Sequence, residues 1–238
     1  MFSEQNKIKL AYSLIIVWLV GTGCAFYWFQ NQDQRLFQPP QASFKEIAFA
    51  NPLKSLQQSN VASNQPEIAD IMEQSRAVVF HFWQPGCSCN RFNAPHVKTM
   101  VKEYKQHNIH FVIVVPKTTH NALQELKKTA FKKFGTDRVI IDTQNIFSPV
   151  TAAPAALVMT QTKQHKTAHY FGAYSFSALC NPGDGSYVET SLNNILQNKP
   201  SLNPESTNGK GCFCHWGNPE NSLAATSILS ASKTLAVN

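Results

Sequence analysis

The sequence is short of charge and of glycine. Charged residues make up 15% of its 238 positions, acidic residues number 14 against 21 lysines and arginines, and glycine occurs 10 times. No phosphate-binding glycine loop, Ser/His/Asp arrangement or pair of carboxylates stands out. The commonest sequence signs of nucleotide binding and of serine or carboxylate catalysis are therefore missing. The chain has no internal repeat apart from the motif C-x-C, which occurs twice.

The net charge is +7 at pH 7. A basic chain can bind nucleic acid, but here the basic residues are scattered and form no patch. The N-terminal apolar segment described below also predicts that most of the chain lies beyond a membrane, outside the cytoplasm. We therefore expect no nucleic-acid partner and attribute the charge to proximity to an anionic membrane surface.

One long apolar run dominates the N-terminus. The stretch from Leu10 to Phe29 carries no formal charge. At about 1.5 Å per residue it spans roughly 30 Å as a helix, which matches the hydrocarbon core of a bilayer. Tyr27 and Trp28 lie near one end, as aromatic residues at a membrane interface do. A cleaved signal peptide has a shorter apolar region, so the run predicts an uncleaved transmembrane anchor over residues 10–29.

The charges beside the anchor predict its orientation. Lys7 and Lys9 precede it, whereas Asp33 and Arg35 cancel each other after it. The positive-inside bias then puts residues 1–9 in the cytoplasm and the rest of the chain outside it. Disulfides are permitted in an oxidising compartment. Because five of the six cysteines lie beyond the anchor, at least one is expected to be free, metal-bound or intermolecular.

The composition changes twice after the anchor. Residues 30–66 are rich in glutamine and contain Pro39-Pro40, which predicts a linker and pre-domain segment with an extended tether. Residues 67–199 alternate apolar runs with amphipathic stretches. Residues 200–238 form a C-terminal tail that is polar apart from the stretch GKGCFCHW with its C-x-C motif, and the last stretch of this tail is expected to be poorly ordered.

Hydrophobic periodicity within residues 67–199 predicts strands in alternation with helices, followed by a strand pair and a final helix. This order predicts an α/β fold in which helices flank a central mixed sheet. The expected strands are Ala77–Trp83, Ile109–Val115, Val139–Asp142, Ala155–Thr160 and Thr167–Tyr174, and the expected helices are Cys89–His107, Asn121–Phe134 and Glu189–Gln197.

The stretch FHFWQPGCSCNRFNAP, residues 80–95, resembles the active-site strand, turn and helix of the thioredoxin superfamily. The X-Pro bond before a later strand, at Pro154, and the final hairpin and helix follow thioredoxin order. The resemblance covers residues 77–199 and implies a thioredoxin-like fold. Together with the anchor and the terminal GCFCHW, the chain further resembles bacterial membrane-anchored thioredoxin-like proteins of a domain family of unknown function.

The resemblance assigns Cys87 as the nucleophilic thiol, at the start of a helix whose dipole stabilises a thiolate. Arg91 adds positive charge nearby. Cys89 is expected to resolve the mixed disulfide, because Asn90 stands where the family has its second redox cysteine. A Cys87–Cys89 disulfide would close a small, strained ring, which favours a disulfide donor or isomerase over a strong reductant. Two incidental cysteines in a degenerate site are the alternative.

Three further positions are assigned through the resemblance. His81 stands where thioredoxins often bury an aspartate, and it is expected either to shuttle a proton or to be a core histidine satisfied by a backbone carbonyl. Pro154 resembles the family's cis-proline, which with Ala153 exposes backbone for substrate pairing. Trp83 is a candidate substrate contact, although packing beside the site is the alternative.

The tail motif leaves two interpretations open. Cys180 can pair with Cys212 or Cys214 in a structural disulfide that pins the tail to the domain, which is the preferred expectation. Alternatively, the two C-x-C pairs converge on a metal, with His96 or His215 as substitutes, and thiolates then favour copper over zinc at this short spacing.

These observations predict a thiol–disulfide exchange protein of the bacterial inner membrane, single-pass, with its domain in the periplasm. Its expected partners are the thiols and disulfides of exported proteins and a membrane redox partner, and no cofactor is expected. A thiol-based copper-binding protein is the first alternative, with copper or zinc as its metal. A non-catalytic interaction module on the same fold is the second, because a fold does not fix a function.

Overall fold

The computed structural model describes residues 4–32, 34–37, 71, 73–87, 89–117, 122–143, 147, 150, 152–161, 166–174, 186–201 and 209–217. The chain divides into two compact units, Met1–Gln34 and Arg35–Asn238. The first unit consists of helix α1 (Glu4–Gln32). Its segment Gln5–Trp28 is long and apolar enough to cross a membrane, and none of it is buried. The helix extends beyond the predicted anchor at both ends.

The second unit contains the predicted alternation of strands and helices. Every predicted strand and helix of residues 67–199 named above has a counterpart, with boundaries that differ by up to three residues. In chain order, the elements after α1 are β1 (Gln34–Phe37), β2 (Ala77–Phe82), α2 (Asn90–Tyr104), a short 3₁₀-helix (Lys105–His107), β3 (Ile109–Pro116), α3 (Leu123–Phe134), β4 (Val139–Asp142), β5 (Ala152–Ala153), β6 (Ala155–Gln161), β7 (Lys166–Gly172), α4 (Tyr187–Leu196), β8 (Gly209–Cys212) and β9 (Cys214–His215).

Five strands form a mixed sheet in the order β4-β3-β2-β6-β7. Strand β2 pairs with β3 in parallel and with β6 in antiparallel orientation, and β3 pairs with β4 in parallel. All six residues of β2 are buried, as expected for a central strand whose two faces are both covered. The fold is thioredoxin-like, with β2 leading directly into α2.

The two faces of the sheet carry two separate apolar cores. Helices α2, α3 and α4 pack on one face, through residues such as Val97, Phe134 and Leu192. The core on the other face includes Phe80 and Phe82 of β2. Among the described residues, that second core is completed by loop and tail side chains, which are Phe147, Val150, Phe213 and Trp216.

Part of the tail is therefore incorporated into the fold. Strand β9 pairs with β5 in antiparallel orientation, and β8 pairs with β1. Residues 34–37, which the composition assigns to a linker, thus form a strand. Residues 209–217 of the tail are held against the domain, because Phe213 and Trp216 bury their rings against the sheet.

Candidate functional site: a disulfide at the start of helix α2

A tight turn carries the chain from β2 into α2. The Cys87 amide donates to the Gln84 carbonyl at 3.1 Å. Pro85 and Gly86 occupy the two central positions, and Gly86 has a φ of 86°. This is the residue pattern of a type II turn, in which proline sets the first central φ and glycine accepts the positive second one. The turn places Cys87 just before α2, which begins at Asn90.

Asn90 braces this turn. Its Nδ2 donates to the Gln84 carbonyl at 2.7 Å, and its side chain is buried. The residue that stands where the family has a resolving cysteine thus has a structural contact of its own. A short amide at this position ties the first turn of α2 to the end of β2, which fixes the backbone that presents Cys87.

The loop before β6 faces Cys87. The Ala153–Pro154 peptide bond is cis, as the resemblance implies. The Cys87 Sγ lies 3.9 Å from the Ala153 carbonyl oxygen. Cys87 itself is half-buried, so its sulfur lies at the edge of the fold, between the start of α2 and the cis-proline loop.

Cys87 is disulfide-bonded to Cys214 of the tail, with an S–S distance of 2.02 Å. The expected Cys87–Cys89 disulfide is therefore wrong for this oxidised form. A Cys180–Cys214 staple is wrong for the same reason, since Cys214 is already paired. Cys180 and the side chain of Cys212 lie outside the described residues, so a pairing between them stays a prediction.

Two kinds of contact hold Cys214 in place. In the pairing of β5 with β9, Cys214 lies opposite Ala153 and His215 lies opposite Ala152. The flanking aromatic residues Phe213 and Trp216 are buried in the core behind the site. The tail thus follows the backbone beside the cis-proline, where the resemblance places a substrate peptide.

A third sulfur lies beside this disulfide. The Cys89 Sγ is 3.9 Å from the Cys214 Sγ, and its side chain is 1% exposed. Cys89 is disulfide-bonded as well. The sulfurs of Cys87, Cys89 and Cys214 all lie within 4.8 Å of one another. Among the described residues, this cluster includes neither His96 nor His215.

His81 is fully buried in β2. Its Nδ1 lies 2.6 Å from the Tyr174 hydroxyl, and its ring packs edge-on against Phe134. Burial lowers the pKa of His81 from 6.5 to about 3, so the ring is neutral at physiological pH. The partner is a tyrosine hydroxyl and not the expected backbone carbonyl, and the neutral ring is a core histidine rather than a charged group beside the thiols.

Trp83 is buried, whereas Arg91 is exposed. The Trp83 indole is 3% exposed, packs edge-on against Phe134 and has Lys133 Nζ 5.5 Å from its ring centroid. The structure thus gives Trp83 a packing contact and no accessible face for substrate. Arg91, the second residue of α2, is exposed. Its charge therefore acts on the site through solvent.

His96 belongs to a different environment. Its Nδ1 lies 4.0 Å from the Glu189 carboxylate, between α2 and α4. Burial lowers the pKa of His96 and raises the pKa of Glu189, in each case against the charged form. The two shifts agree that burial outweighs the attraction between the pair, so we treat the contact as a weak polar one.

A family match covers most of this architecture. The model of a domain of unknown function, DUF6436, matches residues 55–216, which is more than half of the chain. The chain belongs to this family. The match extends to Trp216, so the docked tail motif is part of the DUF6436 domain and not an appendage. No curated protein matches the sequence.

Several solved structures are similar to this chain. An uncharacterized conserved protein from Geobacillus kaustophilus is 15% identical over 63% of this chain and 81% of its own, with a TM-score of 0.48. A hypothetical protein from Sinorhizobium meliloti is 14% identical over 63% and 83%, with a TM-score of 0.47. A secreted Mycobacterium tuberculosis disulfide oxidoreductase, described as homologous to DsbE of E. coli, is 14% identical over 54% and 86%, with a TM-score of 0.36. The fold assignment rests on strand order and the cis-proline loop, not on these likenesses.

Sequence reasoning missed three functional contacts. The resemblance presents Asn90 only as a departure from the family pattern, although a short amide after a Pro-Gly turn can brace that turn. Tyr174 gave no local signal as the partner of His81, because the two are far apart in sequence. Trp216 lies in a polar tail with no apolar periodicity to predict its burial, yet its ring closes one core.

Proposed function

We propose that this protein is a membrane-anchored periplasmic thiol–disulfide exchange protein that donates or isomerises disulfides in exported proteins. The observation that carries the proposal is the Cys87–Cys214 disulfide at the start of α2, beside the cis-proline loop. The redox pair is then Cys87 with Cys214, and not Cys87 with Cys89 alone. A disulfide that joins the helix start to a separate strand can open without breaking the sheet.

The exchange step balances within this pair. A substrate thiolate attacks the Cys87 Sγ, forms a mixed disulfide and releases Cys214 as a thiolate, which takes up a proton. A second substrate thiolate then attacks the substrate sulfur and releases Cys87. The substrate loses two electrons and becomes a disulfide, and Cys87 and Cys214 gain those electrons as thiols.

The start of α2 favours Cys87 as the leaving group of the second step, in which the substrate disulfide forms. The first turn of the helix contains no acidic residue, and Arg91 adds a positive charge there. Both the helix dipole and this charge stabilise a thiolate at Cys87. Cys214 lies in a strand and lacks such a helix of its own, so the two sulfurs of the pair are chemically unequal.

Tail release is part of this function. Strand β9 occupies the backbone of Ala152–Ala153, so a substrate peptide that pairs there replaces β9. The buried Cys89 sulfur lies 3.9 Å from Cys214, so the thiolate released at Cys214 forms beside a second sulfur that is itself in a disulfide. The membrane helix would keep the site near exported proteins and a membrane redox partner that restores the disulfide.

The test uses the full-length oxidised protein in detergent and a reduced peptide with two cysteines. We expect the peptide to be oxidised while one equivalent of Cys87–Cys214 is lost, as measured by alkylation and mass spectrometry. Cys87→Ser should abolish oxidation, and Cys24→Ser, a change in the membrane helix, should preserve it. Arg91→Ala should slow the reaction by a few fold.

A peptide with a single cysteine traps the intermediate and tests the assignment of the sulfurs. We expect the peptide on Cys87 and an alkylatable thiol on Cys214. Attachment to Cys214 instead, or full peptide oxidation by the Cys87→Ser protein, would show that Cys87 is not the attacked sulfur.

A further inference from the structure

The cluster of Cys87, Cys89 and Cys214 has a geometry that exchange chemistry does not require. Three sulfurs from two segments far apart in the sequence lie within 4.8 Å of one another. A thiolate–metal bond of about 2.3 Å in a planar three-ligand site spaces the sulfurs about 4 Å apart. The Cys89–Cys214 separation is 3.9 Å, so one edge of such a triangle is already in place.

We propose that the reduced protein binds one Cu(I) ion through the thiolates of Cys87, Cys89 and Cys214. Reduction breaks the Cys87–Cys214 bond, and the two sulfurs then separate to non-bonded contact. The third edge is within 4.8 Å and needs little movement. Soft thiolates select Cu(I), and a three-sulfur set suits that ion better than Zn²⁺, which takes four ligands.

The surroundings support this ion. Cys89 is 1% exposed, and Cys87 and Cys214 are half-buried, so the site excludes much of the solvent. Three thiolates and one monovalent ion leave net negative charge. The start of α2, with no acidic residue in its first turn, lies beside that charge and offsets it.

The site exists only after reduction. For each disulfide that opens, a dithiol gives up two electrons and two protons and becomes a disulfide itself. Cys87, Cys89 and Cys214 are then thiols, and Cu(I) displaces their protons on binding. The reduced sulfurs would bind the metal, and the oxidised sulfurs would donate the disulfide. The two proposals are independent, so either activity can be present without the other.

The experiment titrates full-length protein in detergent, reduced by a dithiol that is then removed without air. Cu(I) is supplied from a coloured Cu(I) chelator, whose absorbance reports transfer. We expect one Cu(I) per reduced chain and none per oxidised chain. Cys87→Ser, Cys89→Ser and Cys214→Ser should each weaken binding by about a hundredfold or more, and the control Cys24→Ser should leave it unchanged.

Alkylation of the wild-type protein gives a second measurement that does not depend on folding of the variants. One equivalent of Cu(I) should protect Cys87, Cys89 and Cys214 together. Protection of fewer than these three, full binding by Cys214→Ser, loss of binding by Cys24→Ser, or displacement of Cu(I) by equimolar Zn²⁺ would each overturn the proposed site.

Discussion

Trp216 stands edge-on to Phe82, with ring centroids 5.4 Å apart and an interplanar angle of 83°. One ring belongs to the tail and the other to the central strand that leads to Cys87. The contact between these two rings therefore stabilises the docking of the segment that carries Cys214 against the central strand. Docking of the tail and formation of the Cys87–Cys214 disulfide therefore stabilise each other.

Trp216→Ala should make the Cys87–Cys214 disulfide easier to reduce. Truncation of a buried tryptophan costs about 3–5 kcal/mol, and here the loss destabilises the docked state of the tail relative to the released state. Since about 1.4 kcal/mol corresponds to tenfold, we expect the equilibrium to shift toward the thiols by about a hundredfold or more. Alkylation and mass spectrometry after equilibration in defined glutathione mixtures measure the shift.

The matched control is Phe131→Ala, which removes an aromatic ring that is 63% exposed on α3. It should leave the disulfide equilibrium unchanged. An equilibrium that is the same in Trp216→Ala and the wild type would mean that tail docking does not support the disulfide.

Asn90→Ala should destabilise the domain without removing the reactive sulfur. The change deletes the hydrogen bond to Gln84 and leaves a carbonyl without that donor, at a cost of about 1–3 kcal/mol. Asn90→Asp should cost more, because a carboxylate would face the same carbonyl. Urea unfolding of the full-length protein measures both losses of stability. The control is Gln106→Ala, which removes an exposed amide and should change the free energy of unfolding by less than about 0.5 kcal/mol, as surface substitutions usually do.

If Asn90→Ala and Gln106→Ala unfolded at the same urea concentration, Asn90 would not be a brace. A loss of peptide oxidation by Asn90→Ala at unchanged stability would instead give Asn90 a direct part in the exchange.

Acid should weaken the fold through His81. Its pKa is lowered to about 3 in the folded state, against 6.5 when unfolded. Between these values the unfolded chain binds the extra proton, so stability is complete above about pH 6.5 and declines as the pH falls. The slope from one histidine is about 1.4 kcal/mol per pH unit at most, and the lowered pKa of His96 acts in the same direction.

Urea unfolding at pH 7, 6, 5 and 4 measures this decline. His81→Gln should flatten the curve, although its stability at pH 7 will be lower because the Tyr174 contact changes. His215→Gln, at an exposed residue of the tail, should keep the wild-type slope. A stability that does not vary over this pH range would exclude a neutral buried His81.

The charge pattern around α1 predicts that the C-terminus is outside the cytoplasm. A reporter that works only in an oxidising compartment should be active when it is fused after Asn238. The reversed variant, with Lys7 and Lys9 changed to glutamate and basic residues added after α1, should reduce that activity. Activity from a cytoplasmic reporter alone would contradict the orientation and the case for disulfides.

The sequence predicts the central domain well because its signals are local. Buried β-branched runs such as Val139–Asp142 and the Pro85-Gly86 turn specify their own structures over a few residues. The position of Cys214 carries no such signal, since its bond to Cys87 spans 127 residues and the polar tail around it shows no periodicity. Local signals also do not predict the burial of Phe213 and Trp216, which brings Cys214 to Cys87.

The pairing of Cys214 with Ala153 has a kinetic consequence. A substrate peptide that pairs with the same strand edge competes with β9, which is part of the same chain and whose effective concentration does not fall on dilution. At high peptide concentration the turnover rate then stops rising and equals the rate at which β9 leaves. The maximal turnover rate would then be the first-order rate constant for release of β9, and it would be the same for every exported protein that serves as substrate.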